Sequence, residues 1–132
     1  MERGGNAVDA AAAMGFCLNL LEPQSNGIGG EVPMLIYSAR EGKAYAISGV
    51  GWNATAFTIE WCRTHGIDLI PGDGFLPACV PAPVDTWATA LARFGSLRFA
   101  DILQPAIELA EQGFPIYEGL QEHLAANREK YL

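Results

Sequence analysis

Residues 3–30 read RGGNAVDAAAAMGFCLNLLEPQSNGIGG, and this stretch decides the fold. Asn6 is a favourable N-cap, and Asp9 stands at the third helical position, so the pair predicts a capping box with Asp in place of the usual Glu. Pro23 prevents the helix from continuing. Almost no polar face remains between these ends, which is typical of a buried helix. Because 132 residues could hardly surround such a helix, the pattern also predicts missing partners.

The residues after this helix predict a β-hairpin. A glycine-rich loop covers 24–33, and 34–38 and 44–48 are short apolar runs that flank a turn at 40–43. Gly27-Ile28-Gly29-Gly30 does not match a nucleotide-binding loop, because it follows a helix and precedes a strand. We expect instead a tight turn that needs positive φ angles, or a loop that lines a substrate cavity with its backbone N–H groups.

The second half of the sequence predicts helices that are bounded by Gly, Pro and capping residues. Thr58 caps a short helix that ends at Gly66, and a long ordered loop covers 70–82. Pro83 opens a helix to Phe94. Ser96 is expected to cap the next helix, which ends at Gly113 and in which Pro105 is either a kink or a new start. A last helix covers 117–127. The fold class is therefore α/β (α+β), with helices plus one β-hairpin.

Composition excludes several classes of function. Half of the residues are apolar, the net charge is −7 and the isoelectric point is about 4.6, so nothing here would neutralise a nucleic acid. The apolar run 10–21 is far shorter than the roughly 20 residues of a membrane span. No signal peptide is recognised, so the cytoplasm is favoured while the compartment stays open. No cysteine pair has metal-ligand spacing, and we expect no metal, no cofactor and no disulfide framework.

No catalytic group can be identified from the residues alone. His65 and His123 have no recognisable Ser, Cys or metal partner in sequence, and no nucleophile elbow is present. Trp61 and Trp87 stand at helical positions and are expected in the core. Trp52 differs because it lies in a glycine-flanked loop, which makes it a candidate for binding a ligand.

Three collinear blocks resemble the γ-glutamyltransferases, or glutathione hydrolases, which are N-terminal-nucleophile hydrolases. The blocks are residues 3–11, Glu22-Pro23 with residues 25–30, and 94–97 followed by 103–111 and 113–115. Val80-Pro81 also fits the Val-Pro-Gly segment of the family, with Ala82 in place of glycine. The resemblance covers residues 3 to about 116 and corresponds to the early part of the family's large subunit. Residues 1–132 are thus expected to form a single partial domain.

The resemblance implies a sandwich of two sheets between helical layers and a precursor that cuts itself to expose a threonine. The threonine hydroxyl attacks a γ-glutamyl amide with its own α-amine as base, and the acyl group passes to water or an amine. This nucleophile belongs to the small subunit, so the expected partner is the missing small subunit or the remainder of the precursor. The chain therefore has no catalytic residue of its own, and we expect it to be inactive alone.

The family's large-subunit arginine, which grips the substrate α-carboxylate, should fall within residues 48–55, where no arginine is present. Trp52 best matches its place, so Gly51, Trp52 and Asn53 are predicted to bind the small-molecule amide substrate. An indole does not replace a bidentate guanidinium, which makes a different acyl group an open alternative. A second reading is a truncated, non-catalytic relative that acts as a binding or interaction module. A third is self-association that covers the apolar helix.

Overall fold

The computed structural model describes residues 4–72 and 74–132. Arg3, the first residue of the family-like block 3–11, lies outside the described residues. The order of elements is α1 (Ala7–Leu21), β1 (Met34–Ser38), β2 (Lys43–Ile47), α2 (Ile59–Thr64), α3 (Pro83–Phe94), α4 (Phe99–Gln112), α5 (Glu118–Ala126) and α6 (Arg128–Tyr131). Within the described residues, no helix is long and apolar enough to cross a bilayer.

Helix α1 begins as predicted. The Asn6 side chain accepts hydrogen bonds from the backbone N–H groups of Val8 and Asp9, at 2.8 and 3.1 Å, and the Asp9 carboxylate accepts one from the Asn6 N–H at 2.8 Å. Within the described residues α1 is only partly enclosed, in line with the expectation that 132 residues could hardly surround it. Met14 is 60% exposed, because α4 covers one side of α1 and the described elements are too few to enclose the rest.

The hairpin is confirmed, with its second strand one residue earlier than predicted. β1 and β2 pair antiparallel, with Met34 opposite Ile47 and Ser38 opposite Lys43. Gly42 has a φ of 62°, which the tight connection requires. Alternation places Ile36 on the buried face, whereas Leu35 and Tyr37 are 86% and 70% exposed.

The helices of the second half mostly follow the prediction, with one correction at Ser96. Helix α4 begins at Phe99 after Arg98, which makes no side-chain cap, and Pro105 lies inside a helix that continues to Gln112 and stops at Gly113. Ser96 does not cap this helix, because its hydroxyl donates to the Asp9 carboxylate at 2.6 Å. The predicted last helix is divided into α5 and the short α6.

The described residues group into two compact units. The first unit comprises 4–27 and 90–132, and the second comprises 28–89. Apolar residues buried in the first unit are Ala12, Phe16, Ala90, Leu91, Ile102 and Leu120. The second unit buries Ile36 and Trp87, together with Pro83 and Thr86. That residues 1–132 form a single partial domain stays a prediction.

A buried carboxylate organises the first unit. Asp9 is 2% exposed and accepts hydrogen bonds from the backbone N–H groups of Ser96 and Leu97, at 3.0 and 3.2 Å, besides those from Asn6 N–H and the Ser96 hydroxyl. Burial by itself raises the pKa of this carboxyl, but the Ser96 hydroxyl and the three backbone donors favour the ionised form and bring the pKa of Asp9 below its usual value.

Candidate substrate-binding loop

Residues 48–55 lie in the connection between β2 and α2 and are held by backbone hydrogen bonds within the second unit. The Val32 N–H donates to the Gly49 carbonyl at 2.8 Å, and the Val80 N–H donates to the Trp52 carbonyl at 2.9 Å. The Ala82 N–H donates to the Gly30 carbonyl at 3.2 Å. Three stretches without helix or strand, 28–33, 48–53 and 79–82, are therefore connected to one another through their main chains.

Two glycines make this close approach feasible. Gly49 has a φ of 56°, and a Cβ there would lie 1.9 Å from the Val32 carbonyl oxygen. A Cβ on Gly51 would lie 1.7 Å from the Val80 carbonyl oxygen. Both distances are far below van der Waals contact with main-chain atoms that have little freedom to move. Gly51 thus supports the loop by letting residue 80 approach its backbone.

Trp52 combines an anchored main chain with a free side chain. Its carbonyl accepts the Val80 N–H, whereas its indole is 87% exposed. Trp87 is only 5% exposed, as predicted for a core residue. Trp61 is half-buried and stacks on His65 with ring centroids 4.0 Å apart. Among the three tryptophans, Trp52 is the one that the fold offers to a ligand or to another surface.

Asn53 lines a cavity to which Trp52 does not contribute. This cavity lies beside α2 and has a volume of about 410 Å³, and Gly51 is not among its lining residues either. The other lining residues are Phe57, Thr58, Ile59, Cys62, Arg63, Ile67, Asp68 and Ile70. The structure therefore assigns different surroundings to the three predicted site residues, and their role in substrate binding stays a prediction.

Arg63 and Asp68 are lining residues that the sequence analysis missed. They lie on either side of Gly66, which follows the end of α2 and reverses the chain with a φ of 66°. The Ile67 N–H donates back to the Cys62 carbonyl at 2.9 Å, so the reversal is tight. The helix-ending glycine between the two charges was the available signal, since such a turn brings flanking side chains to a common surface.

The glycine-rich loop does not use positive φ angles at Gly29 and Gly30, so the prediction of a tight turn built on such angles is wrong for these two residues. A Cβ at either position would meet nothing within 4 Å. The requirement for a left-handed conformation falls instead on Gly49, where the backbone crosses close to Val32.

The histidines and cysteines have structural surroundings. His65 is the C-terminal cap of α2, and its Nδ1 lies 2.8 Å from the Trp61 carbonyl oxygen. The three cysteines are free thiols, and burial raises the pKa of Cys17. In the part of the chain that the structure describes, no three His, Cys, Asp or Glu residues gather closely enough to hold a metal ion.

Comparisons with known proteins give one consistent result. The sequence model of the gamma-glutamyltranspeptidase family matches residues 1–132. The chain is 33% identical over 130 residues to the glutathione hydrolase-like YwrD proenzyme of Bacillus subtilis, with 98% of the chain and 24% of that relative covered. It is 37% identical over 133 residues to the acylase ACY 1 proenzyme of Pseudomonas sp. strain SE83, with 94% of the chain and 24% of the relative covered.

Solved structures agree with these relatives. The gamma-glutamyltranspeptidase of Helicobacter pylori superposes with a TM-score of 0.86 and 33% identity, over 97% of this chain and 37% of that chain. The cephalosporin acylase of Bacillus halodurans superposes with a TM-score of 0.90 and 35% identity, over 98% of this chain and 24% of that chain. The chain thus spans about a quarter of the length of the curated relatives that it matches.

Proposed function

The chain belongs to the gamma-glutamyltranspeptidase family, and from that premise we propose that it is a large-subunit portion of an enzyme that hydrolyses or transfers acyl amides. Its helices and hairpin are a fragment of the N-terminal-nucleophile hydrolase fold. The reactive threonine is supplied by residues outside these 132, in the remainder of the precursor or a small subunit. The naming of several relatives as proenzymes supports such a partner.

In this proposal, residues 48–55 form one wall of the substrate cleft. The observation that carries it is the contrast at Trp52, whose main chain is fixed by Val80 while its indole is 87% exposed. Gly51 has no Cβ, which permits the close approach of Val80 that fixes this wall. Asn53 continues the wall and offers an amide that both donates and accepts hydrogen bonds.

The proposed acyl group is apolar and lacks the α-carboxylate of a γ-glutamyl group. Residues 48–55 contain no arginine, and an indole cannot make the two parallel N–H···O bonds with which a guanidinium holds a carboxylate. The exposed indole offers a flat apolar surface instead. Acylases among the relatives and the solved structures are consistent with this choice.

A chimeric enzyme tests the proposal. Residues 1–132 would replace the matching part of the Bacillus subtilis YwrD proenzyme, and kcat/KM would be measured for butanoyl and γ-glutamyl p-nitroanilides. We expect the chimera to prefer the butanoyl substrate. We expect Trp52→Arg to shift the ratio of the two kcat/KM values toward the γ-glutamyl substrate by roughly tenfold, equivalent to about 1.4 kcal/mol of transition-state binding.

Self-cleavage of the chimera into two chains is the folding control. Phe75→Arg, at an aromatic side chain that is 98% exposed, is the matched variant outside residues 48–55. A correctly cleaved chimera that turns over neither substrate would overturn the catalytic proposal and favour the non-catalytic module. A γ-glutamyl preference without the Trp52→Arg change would overturn the proposed acyl group. Amide turnover by residues 1–132 alone, above the rate of the buffer, would contradict the proposed external nucleophile.

A further inference from the structure

Asn26 and Gly27 follow helix α1 and form a pair that can react with itself. Among the asparagines of the sequence, Asn26 alone precedes a glycine. Glycine has no Cβ, so the main-chain nitrogen of Gly27 is open for attack on the side-chain amide of the residue before it. Gly27 is exposed, and within residues 4–72 and 74–132 its N–H makes no hydrogen bond. The attacking atom of a ring closure is therefore available in the folded chain.

The side-chain amide of Asn26 is held at its nitrogen end. Its Nδ2 donates to the main-chain carbonyl of Glu22 at 3.3 Å and to the Glu22 carboxylate at 3.2 Å. The Asn26 N–H donates to the same carbonyl at 3.0 Å. Both partners of Nδ2 are acceptors, so they orient the nitrogen of the amide, and not its oxygen, toward Glu22. Hydrogen bonds thus engage the nitrogen that would leave, and they leave the amide carbon open to attack.

We propose that Asn26 is a site of spontaneous deamidation. The Gly27 nitrogen gives up its proton and bonds to Cγ of Asn26, the Cγ–Nδ2 bond breaks, and ammonia leaves with that proton, so that a cyclic succinimide forms. A water molecule then opens the ring. Attack at Cγ gives aspartate, and attack at the main-chain carbonyl carbon gives isoaspartate, in which the chain continues through the side chain. Water is the only co-reactant, so the inference does not rest on the proposed function.

The product changes the turn that follows α1. A carboxylate at residue 26 has no N–H to donate, so both hydrogen bonds from Nδ2 to Glu22 are lost. It also places a second negative charge beside the Glu22 carboxylate, and like charges this close repel each other. Isoaspartate adds a methylene group to the main chain as well. Conversion therefore opens the turn in which the N–H groups of Ser25 and Asn26 both donate to the Glu22 carbonyl at 3.0 Å.

Ageing of the chain at neutral pH, followed by peptide mass spectrometry, tests the reaction. Asn26 should convert at a rate within about tenfold of that in a free peptide of residues 22–30, because no hydrogen bond of the fold occupies the Gly27 nitrogen. The rate should rise with pH, since this nitrogen must lose its proton. Asn19 is the control within the same chain and should stay intact, because it lies inside α1, where the next N–H donates to a helical carbonyl.

Gly27→Ala and Gly29→Ala are a matched pair of variants. The φ of neither glycine is positive, so neither change forces alanine into a left-handed conformation, and circular dichroism should show the same fold for both. Alanine at 27 crowds the attacking nitrogen and should slow the conversion by about tenfold, whereas alanine at 29 should leave the rate unchanged. The inference is overturned if Asn26 stays intact in the folded chain while the free peptide converts, or if both variants slow the reaction equally.

Asn26→Asp makes one product directly and tests the effect on the turn. Amide hydrogen exchange at Ser25 and at residue 26 should become faster by about tenfold, because the bonds to Glu22 are lost. Asn53→Asp introduces the same charge at an exposed residue of the second unit and should leave the exchange at Ser25 unchanged. Equal exchange at Ser25 in Asn26→Asp and in the unchanged chain would overturn the proposed opening of the turn.

Discussion

The two units are stabilised by different kinds of contact. In the first unit, the buried carboxylate of Asp9 accepts hydrogen bonds from Asn6, Ser96 and Leu97, and these residues keep their side chains or N–H groups directed inward. In the second unit, backbone groups contact backbone groups at Gly49 and Gly51, which leaves the neighbouring side chains free. The first arrangement favours stability, and the second favours the presentation of side chains such as Trp52.

The sequence itself provides probes that separate the units. All three tryptophans, Trp52, Trp61 and Trp87, belong to the second unit, so tryptophan fluorescence reports on that unit. Helices α1, α4 and α5 belong to the first unit and contribute most of the helical signal in circular dichroism. Denaturant unfolding followed by both signals can therefore test the comparison directly.

The largest expected effect is that of Asp9→Asn. The amide keeps the shape of the carboxylate, but it loses the charge and turns an NH2 group toward donors that need an acceptor. We expect the free energy of unfolding seen by circular dichroism to fall by about 3–5 kcal/mol, with a smaller change in tryptophan fluorescence.

Asp68→Asn is the control for this change, because Asp68 is exposed and makes no hydrogen bond within the described residues. It should leave both transitions almost unchanged. Equal shifts of the two signals in Asp9→Asn would mean that the units unfold as one body, and the contrast between them would then have no energetic meaning.

Gly51→Ala should have the next largest effect, and in the other unit. The added Cβ would stand 1.7 Å from the Val80 carbonyl oxygen, so the loop must move and the hydrogen bond between Val80 and Trp52 must break. We expect a loss of about 2–3 kcal/mol in the transition followed by fluorescence. Quenching by acrylamide should also change, since the anchored backbone of Trp52 is released.

Gly29→Ala is the matched control within the glycine-rich loop. A Cβ at Gly29 meets nothing within 4 Å, and its φ is not positive. The substitution should be neutral or should stabilise by about 0.4–1 kcal/mol, because alanine reduces the freedom of the unfolded chain. A loss as large as that of Gly51→Ala would contradict the assignment of the close approach to residue 51.

Local parts of this molecule could be predicted because the responsible groups are close in sequence. The capping box of α1, the Thr58 cap, Pro83 as the start of α3 and Gly113 as the end of α4 each depend on residues within one turn. Ser96 shows the limit. Its sequence position favours a cap, but a carboxylate 87 residues away takes its hydroxyl, and no local pattern reports that partner.

The candidate site shows the same limit. Trp52 can be recognised as a candidate because it lies in a glycine-flanked loop, which is local information. Two other features depend on contacts between residues that are distant in sequence, which no local pattern encodes. They are the approach of Val80 to Gly51 and the cavity that Asn53, Arg63 and Asp68 line together. The partial exposure of α1 shows the same limit, since burial depends on what packs around a helix as well as on its own apolar surface.

The N-caps of α1 and α2 allow the two units to be compared through smaller changes in the free energy of unfolding. Asn6 caps α1 and its Nδ2 also donates to the Phe94 carbonyl at 2.7 Å. Among the described residues, the hydroxyl of Thr58 bonds only to the Trp61 N–H, at 3.1 Å. Asn6→Ala should cost about 2 kcal/mol and Thr58→Ala about 0.5–1 kcal/mol, each measured by denaturant unfolding. Asn6→Ser keeps the cap and loses the bond to Phe94, so it should fall between the two. Equal costs for both alanine variants would contradict the added link in the first unit.

Acid should lower the stability of the first unit more than that of the second, which gives a final test. Because hydrogen bonds hold the pKa of Asp9 below its unfolded value, the stabilisation from this carboxylate is complete above the unfolded pKa of about 3.9 and is lost as the pH falls through the lower folded pKa. The backbone contacts at Gly49 and Gly51 do not titrate. The transition seen by circular dichroism should therefore weaken between about pH 5 and pH 2 more steeply than the one seen by fluorescence. In Asp9→Asn this difference in slope should shrink, since the titrating group is gone; an unchanged difference would assign the acid sensitivity to another carboxylate and remove Asp9 as the organising group of the first unit.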